Sequence, residues 1–198
     1  MATKSDKIVS KSVYSPSTVT EHIETHTLSI LVDDEPGVLA RVAGLFSGRG
    51  YNIASLTVAV VDPNKKLSRI TIVSSGTPLD IEQIRHQLER LVPVHGVFDL
   101  TLEGPHVARE LALIKVVCTG EHRIEALRIA EIFRVNVVDS TLESFIFEVT
   151  GTTEKIDAFI DMMMPLGLTN LSRTGIAALM RGNTNLQPLF SDEDGPDH

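Results

Sequence analysis

The sequence of 198 residues predicts an α+β fold made of two βαββαβ units in tandem. Short strand-like runs and amphipathic helical patterns follow one another in the order strand, helix, strand, strand, helix, strand. The same order then occurs a second time, after the turn-forming residues Glu103-Gly104-Pro105. This is the order of two ferredoxin-like domains, each with a four-stranded antiparallel sheet and two helices on one face.

The first unit is predicted over residues 26–103. Its elements are strands at about 27–33, 53–61, 67–74 and 96–102, and helices at about 37–49 and 79–91. Gly50 is expected to end the first helix, because a left-handed C-terminal cap favours glycine. The alternation in the second strand predicts one apolar face made of Ala54, Leu56, Val58 and Val60.

The second unit is predicted over residues 106–182. Its strands are expected at about 110–119, on both sides of a tight turn near Leu142-Glu143, and at 167–173, with helices at 122–133 and 153–164. Residue identity between the two halves is weak. The chain therefore repeats an element order and not a sequence.

The two ends of the chain are polar and are predicted to be disordered. Residues 1–25 are rich in Ser, Thr and Lys, and they lack the apolar segment of a secretory signal. Residues 183–198 form an acidic tail. We expect both ends to be solvated, because such composition buries little apolar surface.

Composition excludes several classes of function. The 18 Lys and Arg against 26 Asp and Glu give a net charge of −8, which argues against binding to nucleic acid. The apolar runs are too short to cross a bilayer, so no membrane association is expected and the cytoplasm is the predicted location. The single cysteine, Cys118, lies in an apolar run and is predicted to be a buried, unreactive thiol.

No constellation of residues in the sequence indicates catalysis. The seven histidines include no pair at metal-ligand spacing on one helix face, so no metal site is predicted. No serine or cysteine has the sequence context of a nucleophile. The sequence therefore predicts neither an active site nor a bound cofactor in this chain.

The turn before the first helix is the strongest candidate for a binding site. Asp33-Asp34-Glu35 offers carboxylates, and the backbone amides of Gly37 and Val38 begin the helix. Together they suit a free amino acid, which carries an ammonium and a carboxylate. Asn52 could contact either end of that ligand. The alternatives are that one carboxylate caps the helix while the others are solvated, and that Asn52 is a turn residue.

Several stretches resemble one family. Residues 36–42 (PGVLARV) are similar to an ACT domain, and residues 44–47 (GLFS) and 49–58 (RGYNIASLTV) more specifically resemble the regulatory, or small, subunit of acetolactate synthase (acetohydroxyacid synthase). The resemblance covers about residues 26–182. Further similar stretches are residues 67–72, 87–92, 107–111, 131–134 and 173–179.

The resemblance implies a non-catalytic partner of the catalytic, or large, subunit. That subunit condenses two pyruvates, or pyruvate with 2-oxobutyrate, and it is expected to hold thiamine diphosphate, Mg and FAD. The small subunit would activate it and confer feedback inhibition by valine or another branched-chain amino acid. In the family, the effector lies between the ACT domains of a homodimer. The second domain would contact the catalytic subunit.

The residues that the resemblance assigns to the effector site are Asp34, Gly37, Val38 and Asn52. Many family members carry Asn where this chain has Asp34. Because a carboxylate attracts an ammonium and repels another carboxylate, we expect Asp34 to bind the ammonium of the effector. The Gly37 and Val38 amides are then expected to bind its carboxylate. Two other classes of function stay open. They are a free-standing amino-acid sensor, and a small enzyme on a fold that hosts many chemistries.

Overall fold

The computed structural model describes residues 23–183 and contains two antiparallel sheets, each with helices packed on one face. The predicted α+β fold of two βαββαβ units is confirmed. The predicted disordered ends lie outside the described residues, except at 23–25 and 183. The first strand begins at Glu24, two residues before the predicted start of the first unit.

In the first domain, the sheet has the strand order β2-β3-β1-β4, so β2 is an edge strand. The elements are β1 (Glu24–Asp33), α1 (Val38–Arg49), β2 (Asn52–Asp62), β3 (Leu67–Gly76), α2 (Pro78–Leu88) and β4 (Val94–Asp99). Alternate residues of β1 and β3 face the helices, where Leu28, Ile30 and Ile72 pack against Phe46 and Ile84 with no exposed surface. Burial of these aliphatic side chains is the main driving force for the domain.

Glycine and threonine set the helix boundaries. Gly50 adopts the left-handed conformation (φ 73°), and its N–H donates to the carbonyls of Phe46 and Ser47 at the end of α1. At the start of α2, Thr77 and Asp80 cap each other's backbone N–H groups. Local sequence therefore defines both helices.

The structure differs from the prediction at three places in this domain. Helix α2 ends at Leu88 and not at Leu91. β2 has a bulge between Ile53 and Ser55, so Ile53 and not Ala54 shares the helix-facing side with Leu56. The predicted strand 96–102 ends at Asp99 and is followed by a single helical turn, α3 (Leu100–Glu103). The Asp99 side chain accepts the Thr101 N–H, which caps that turn.

The second domain repeats the architecture with the strand order β6-β7-β5-β8. Its elements are β5 (His106–Val117), α4 (Gly120–Phe133), β6 (Asn136–Ser140), β7 (Ser144–Gly151), α5 (Thr153–Met163) and β8 (Leu168–Arg173), followed by β9 (Ala177–Met180). Phe145, Phe147 and Phe159 lie in its core. Gly167 must be glycine, because a Cβ atom there would lie 2.2 Å from the Val117 carbonyl oxygen.

The sequence did not predict β9, which pairs with the first part of β5. We call residues 106–109 and 177–180 the β5–β9 ribbon. The ribbon lies against the face of the first sheet that is opposite α1 and α2. On this face, which we call the far face, Leu31 and Thr71 are buried, and so is Ala178 of the ribbon. The ribbon therefore connects the two domains through packing as well as through the chain.

Candidate functional site

The turn between β1 and α1 is held on two sides. The Asp33 N–H donates to the Pro93 carbonyl at 2.9 Å, and the Asp34 N–H donates to the Lys66 carbonyl at 2.7 Å. The Asp33 carboxylate lies 2.6 Å from Nε2 of His95. These contacts fix the backbone of the turn to the β2–β3 hairpin and to the segment before β4.

The Asp34 carboxylate is oriented and also accessible. Ser68 Oγ donates to Asp34 Oδ1 at 3.1 Å, and Asp34 is exposed. Ser68 itself is buried in β3, where it lies opposite Val32. Sequence reasoning missed Ser68, since only the β1–β3 register brings it to the turn. A carboxylate held in this way can accept further hydrogen bonds from a cation.

The start of α1 has no side-chain cap. Gly37 occupies the N-cap position with φ 89°, a left-handed conformation that favours glycine, and no side chain accepts a hydrogen bond from the helix start. The alternative in which Asp33, Asp34 or Glu35 caps the helix is therefore wrong. A Cβ atom on Gly37 would meet no atom within 4 Å, so the space in front of it is open.

The amides at this helix start differ in their availability. Within residues 23–183, the N–H groups of Gly37, Leu39 and Ala40 have no acceptor, whereas the Val38 N–H donates to the Glu35 carbonyl at 3.4 Å. That hydrogen bond is long. Open amides at a helix start, together with the helix dipole, attract an anion such as a carboxylate.

Asn52 lies away from the turn within one chain. It is exposed at the start of β2, and its carbonyl accepts a hydrogen bond from Ser74 Oγ. Asn52 pairs with Ser75, while Asp33 pairs with Leu67 on the same strand. Eight residue steps along β3 separate these two positions by about 27 Å. One chain therefore brings Asp34, Gly37 and Val38 together but not Asn52.

Residues 23–183 contain no cluster of three or more His, Cys, Asp or Glu side chains that could hold a metal ion. In the same range, no helix is long and apolar enough to span a membrane.

Two family profiles match the chain. The profile described as "AHAS small subunit-like ACT domain" matches residues 28–96, and the profile described as "Small subunit of acetolactate synthase" matches residues 109–182. A relative in Archaeoglobus fulgidus, "Probable acetolactate synthase small subunit", is 47% identical over 158 residues, which are 80% of this chain and 98% of the relative.

The chain belongs to the acetolactate synthase small-subunit family. The "Acetolactate synthase small subunit" of Mycolicibacterium smegmatis is 44% identical over 158 residues, covering 80% of this chain and 92% of that protein. The crystal structure of the Thermotoga maritima small subunit superposes with a TM-score of 0.74 at 40% identity, covering 81% of this chain and 99% of that one.

Membership of the small-subunit family defines the general role of the chain. It is a regulatory subunit with an ACT domain, and its partner is a catalytic subunit of acetolactate synthase. The turn described above lies inside the matched ACT domain.

Proposed function

We propose that the chain activates the catalytic subunit of acetolactate synthase and that valine, bound at the start of α1, reverses this activation. The observation that carries the proposal is the pairing of an accessible carboxylate, Asp34, with the uncapped amides around Gly37. The amides would bind the carboxylate of valine, and Asp34 its ammonium. The Val38 amide would exchange its long hydrogen bond to Glu35 for the ligand.

The position of β2 supports a site shared by two chains. β2 is an eleven-residue edge strand, and Val58 and Val60 are about half exposed on it. A long apolar edge favours pairing with another strand. We propose that two chains form a dimer by antiparallel pairing of β2 with β2 about a twofold axis.

This pairing would bring Asn52 of the partner subunit toward the turn that carries Asp34. With the axis at Thr57, Asn52 of the partner subunit lies opposite Asp62. Asp62 pairs with Leu67, and Leu67 pairs with Asp33. Neighbouring strands are about 4.8 Å apart, so Asn52 of the partner subunit would lie three strand spacings, about 14 Å, from Asp33, and this is closer than the Asn52 of the same chain. The separation of Asn52 from Asp34 within one chain is then expected.

The remaining parts of the proposal concern the complex. The second domain supplies a contact with the catalytic subunit, which holds thiamine diphosphate, Mg and FAD, and the complex works in the cytoplasm. Valine would act by stabilising a less activating arrangement of the ACT dimer, since a ligand shifts an equilibrium only by its differential affinity. An effect of about 5- to 150-fold corresponds to about 1–3 kcal/mol of coupling.

Calorimetric titration of valine into the purified full chain tests the effector assignment. We expect saturable binding that Asp34→Ala weakens by about tenfold or more, the loss typical of a charged hydrogen bond. Glu35→Ala is the matched control, because Glu35 is an exposed carboxylate in the same turn. Equal valine affinity in the Asp34→Ala variant would refute the assignment.

A further inference from the structure

A cavity lies between the two domains, on the far face of the first sheet. Its volume is about 440 Å³, which is within the usual range of about 300–1,000 Å³ for small-molecule sites. Strands β2 and β3 form one wall and the β5–β9 ribbon forms the other. Most of the lining is aliphatic or small, and it includes Ala59, Val61, Val107 and Ala178.

Arg69 supplies a cation in this apolar wall. Its Nε atom is buried and has no hydrogen-bond partner among the residues that the structure describes. Its neighbours on the adjacent strands are Leu31 and Ala59, which offer no acceptor in their side chains. A buried guanidinium nitrogen without a partner is costly, because its desolvation is not compensated.

The charges around the cavity have one sign. Arg69 and Arg109 both line it, and Arg109 is exposed, whereas the lining residues include no Asp or Glu. Burial lowers the pKa of Arg69 below its ordinary value, because desolvation penalises the charged form, and a bound anion would offset that penalty. The cavity therefore favours an anionic group and disfavours an ammonium.

We propose that this cavity binds a small aliphatic carboxylate that lacks an amino group. Its carboxylate would accept hydrogen bonds from Arg69, and its alkyl group would pack against Val61, Val107 and Ala178. Guanidinium and carboxylate form paired, charge-assisted hydrogen bonds, and the partly enclosed apolar wall strengthens them.

This site is distinct from the proposed valine site. The valine site lies at the start of α1, and it pairs a carboxylate with amides so that a zwitterion is accepted. The cavity lies on the far face of the sheet, and the charged residues that line it, Arg69 and Arg109, are both cationic. Because the walls of the cavity come from both domains, a bound carboxylate would contact both of them. It would raise the free energy of unfolding, since the ligand would bind the folded state and not the unfolded one.

The test uses 3-methylbutanoate as the probe and the purified full chain. Binding is measured by calorimetry near pH 7, with 3-methylbutan-1-amine as the probe of opposite charge and the same alkyl group. Arg69→Met removes the guanidinium but keeps an apolar stem. Arg90→Met is the matched control, because Arg90 is an exposed arginine of the same domain that does not line the cavity.

We expect one 3-methylbutanoate per chain, no binding of the amine, and an affinity that Arg69→Met lowers by at least about tenfold, or about 1.4 kcal/mol. Arg90→Met should leave the affinity unchanged. Ala59→Phe, which fills the cavity from an edge strand, should abolish binding and serves if Arg69→Met does not fold. Saturating valine should leave binding of the probe unaffected.

Three results would overturn the proposal. They are the absence of saturable 3-methylbutanoate binding to the unmodified chain, an unchanged affinity in both Arg69→Met and Ala59→Phe, and displacement of the probe by valine, which would place both ligands in one site. The first two results are independent of whether valine binds at Asp34, so failure of this proposal and failure of the proposed function are distinguishable.

Discussion

The Ile176 N–H donates a hydrogen bond to Ser55 Oγ at 2.9 Å and so joins the two domains. The Ile176 carbonyl accepts from Thr57 Oγ1, also at 2.9 Å. Both backbone polar groups of Ile176 are therefore satisfied by side chains of β2. This is the same edge strand that begins at Asn52 and that we propose to form the dimer. A change in the position of β2 would therefore directly alter its hydrogen bonds to Ile176.

The glycine beside this junction is predicted to be sensitive. Gly175 has φ 83°, and a Cβ atom there would lie 2.8 Å from Ser55 Oγ and 3.0 Å from a Thr57 methyl. We expect Gly175→Ala to lower the free energy of unfolding by about 2–3 kcal/mol, from backbone strain together with the steric contact. Urea denaturation, monitored by circular dichroism, measures this decrease in the free energy of unfolding.

The Gly182→Ala variant separates backbone strain from steric contact as causes of the lost stability. Gly182 has a similar φ of 72°, but a Cβ atom there meets nothing within 4 Å. We expect a cost of about 1 kcal/mol from strain alone. If the two variants lost equal stability, the close contact at the Ser55–Ile176 junction would contribute nothing.

An ion pair on the second domain provides a further prediction. Arg173 donates two hydrogen bonds to Glu110, whose side chain is only 4% exposed, and a third to Asp157. Arg173→Met would leave the Glu110 carboxylate buried without its partner. Because Arg173 itself is 31% exposed, we expect about 2–3 kcal/mol of destabilisation, below the value for a fully buried pair.

Arg128→Met is the control for this ion pair. Arg128 pairs with Glu125 on the surface of α4, with side chains 72% and 47% exposed. We expect Arg128→Met to destabilise the fold by at most about 0.5 kcal/mol, since exposed ion pairs within a helix contribute little to stability. Thermal or urea unfolding that ranked Arg128→Met as the more damaging variant would contradict the account.

The single thiol should be protected in the folded state. Cys118 is buried, and burial raises the pKa of its thiol, although the nearby charge of Arg123 acts in the opposite direction. The reactive thiolate is therefore scarce at neutral pH and increases as the pH rises toward the raised pKa. We expect slow modification by Ellman's reagent at pH 7 and rapid modification in denaturant. Equal rates would show that Cys118 is accessible.

The two-chain site predicts complementation between two variants that each bind valine weakly. Asp34→Ala and Asn52→Ala should each weaken valine binding at both sites of their homodimers. In a heterodimer of the two, one site contains both mutations and the other contains neither. Heterodimers isolated by two different affinity tags should bind one valine with the unmodified affinity. Asp34→Ala dimers that carry both tags are the control and should show no such site.

Failure of complementation would be informative. If heterodimers bound valine no better than either homodimer, Asp34 and Asn52 would not belong to one shared site. The β2–β2 pairing would then be wrong in register or absent, and sedimentation of the unmodified chain would separate these two cases.

The sequence was sufficient to predict the two βαββαβ units because the signals that define their helices and most of their strands are local. Gly37 and Gly50 bracket α1, and the predicted boundaries of that helix agree with the structure to within one residue. The bulge beside Ala54 was not predictable in this way, since it arises from the pairing of β2 with β3. β9 was missed because four residues carry little periodicity and its partner is the distant first part of β5.

The candidate site was likewise predictable only where its residues are close together in the sequence. Asp34, Gly37 and Val38 are consecutive enough to be recognised as one turn at a helix start. Ser68, which orients Asp34, becomes a neighbour only through sheet register. The cavity that contains Arg69 depends on the packing of one domain against the other, so no local pattern indicates it.

The most direct test of the proposed function is the rate of acetolactate formation by the catalytic subunit from the same source. The rate is measured with and without the chain, across a valine titration, with Asp34→Ala in parallel. We predict that the chain raises the rate, that valine reverses the increase, and that Asp34→Ala still activates but resists valine. No increase in rate would contradict activation and favour a free-standing sensor, and equal inhibition of the Asp34→Ala complex would contradict the proposed valine site.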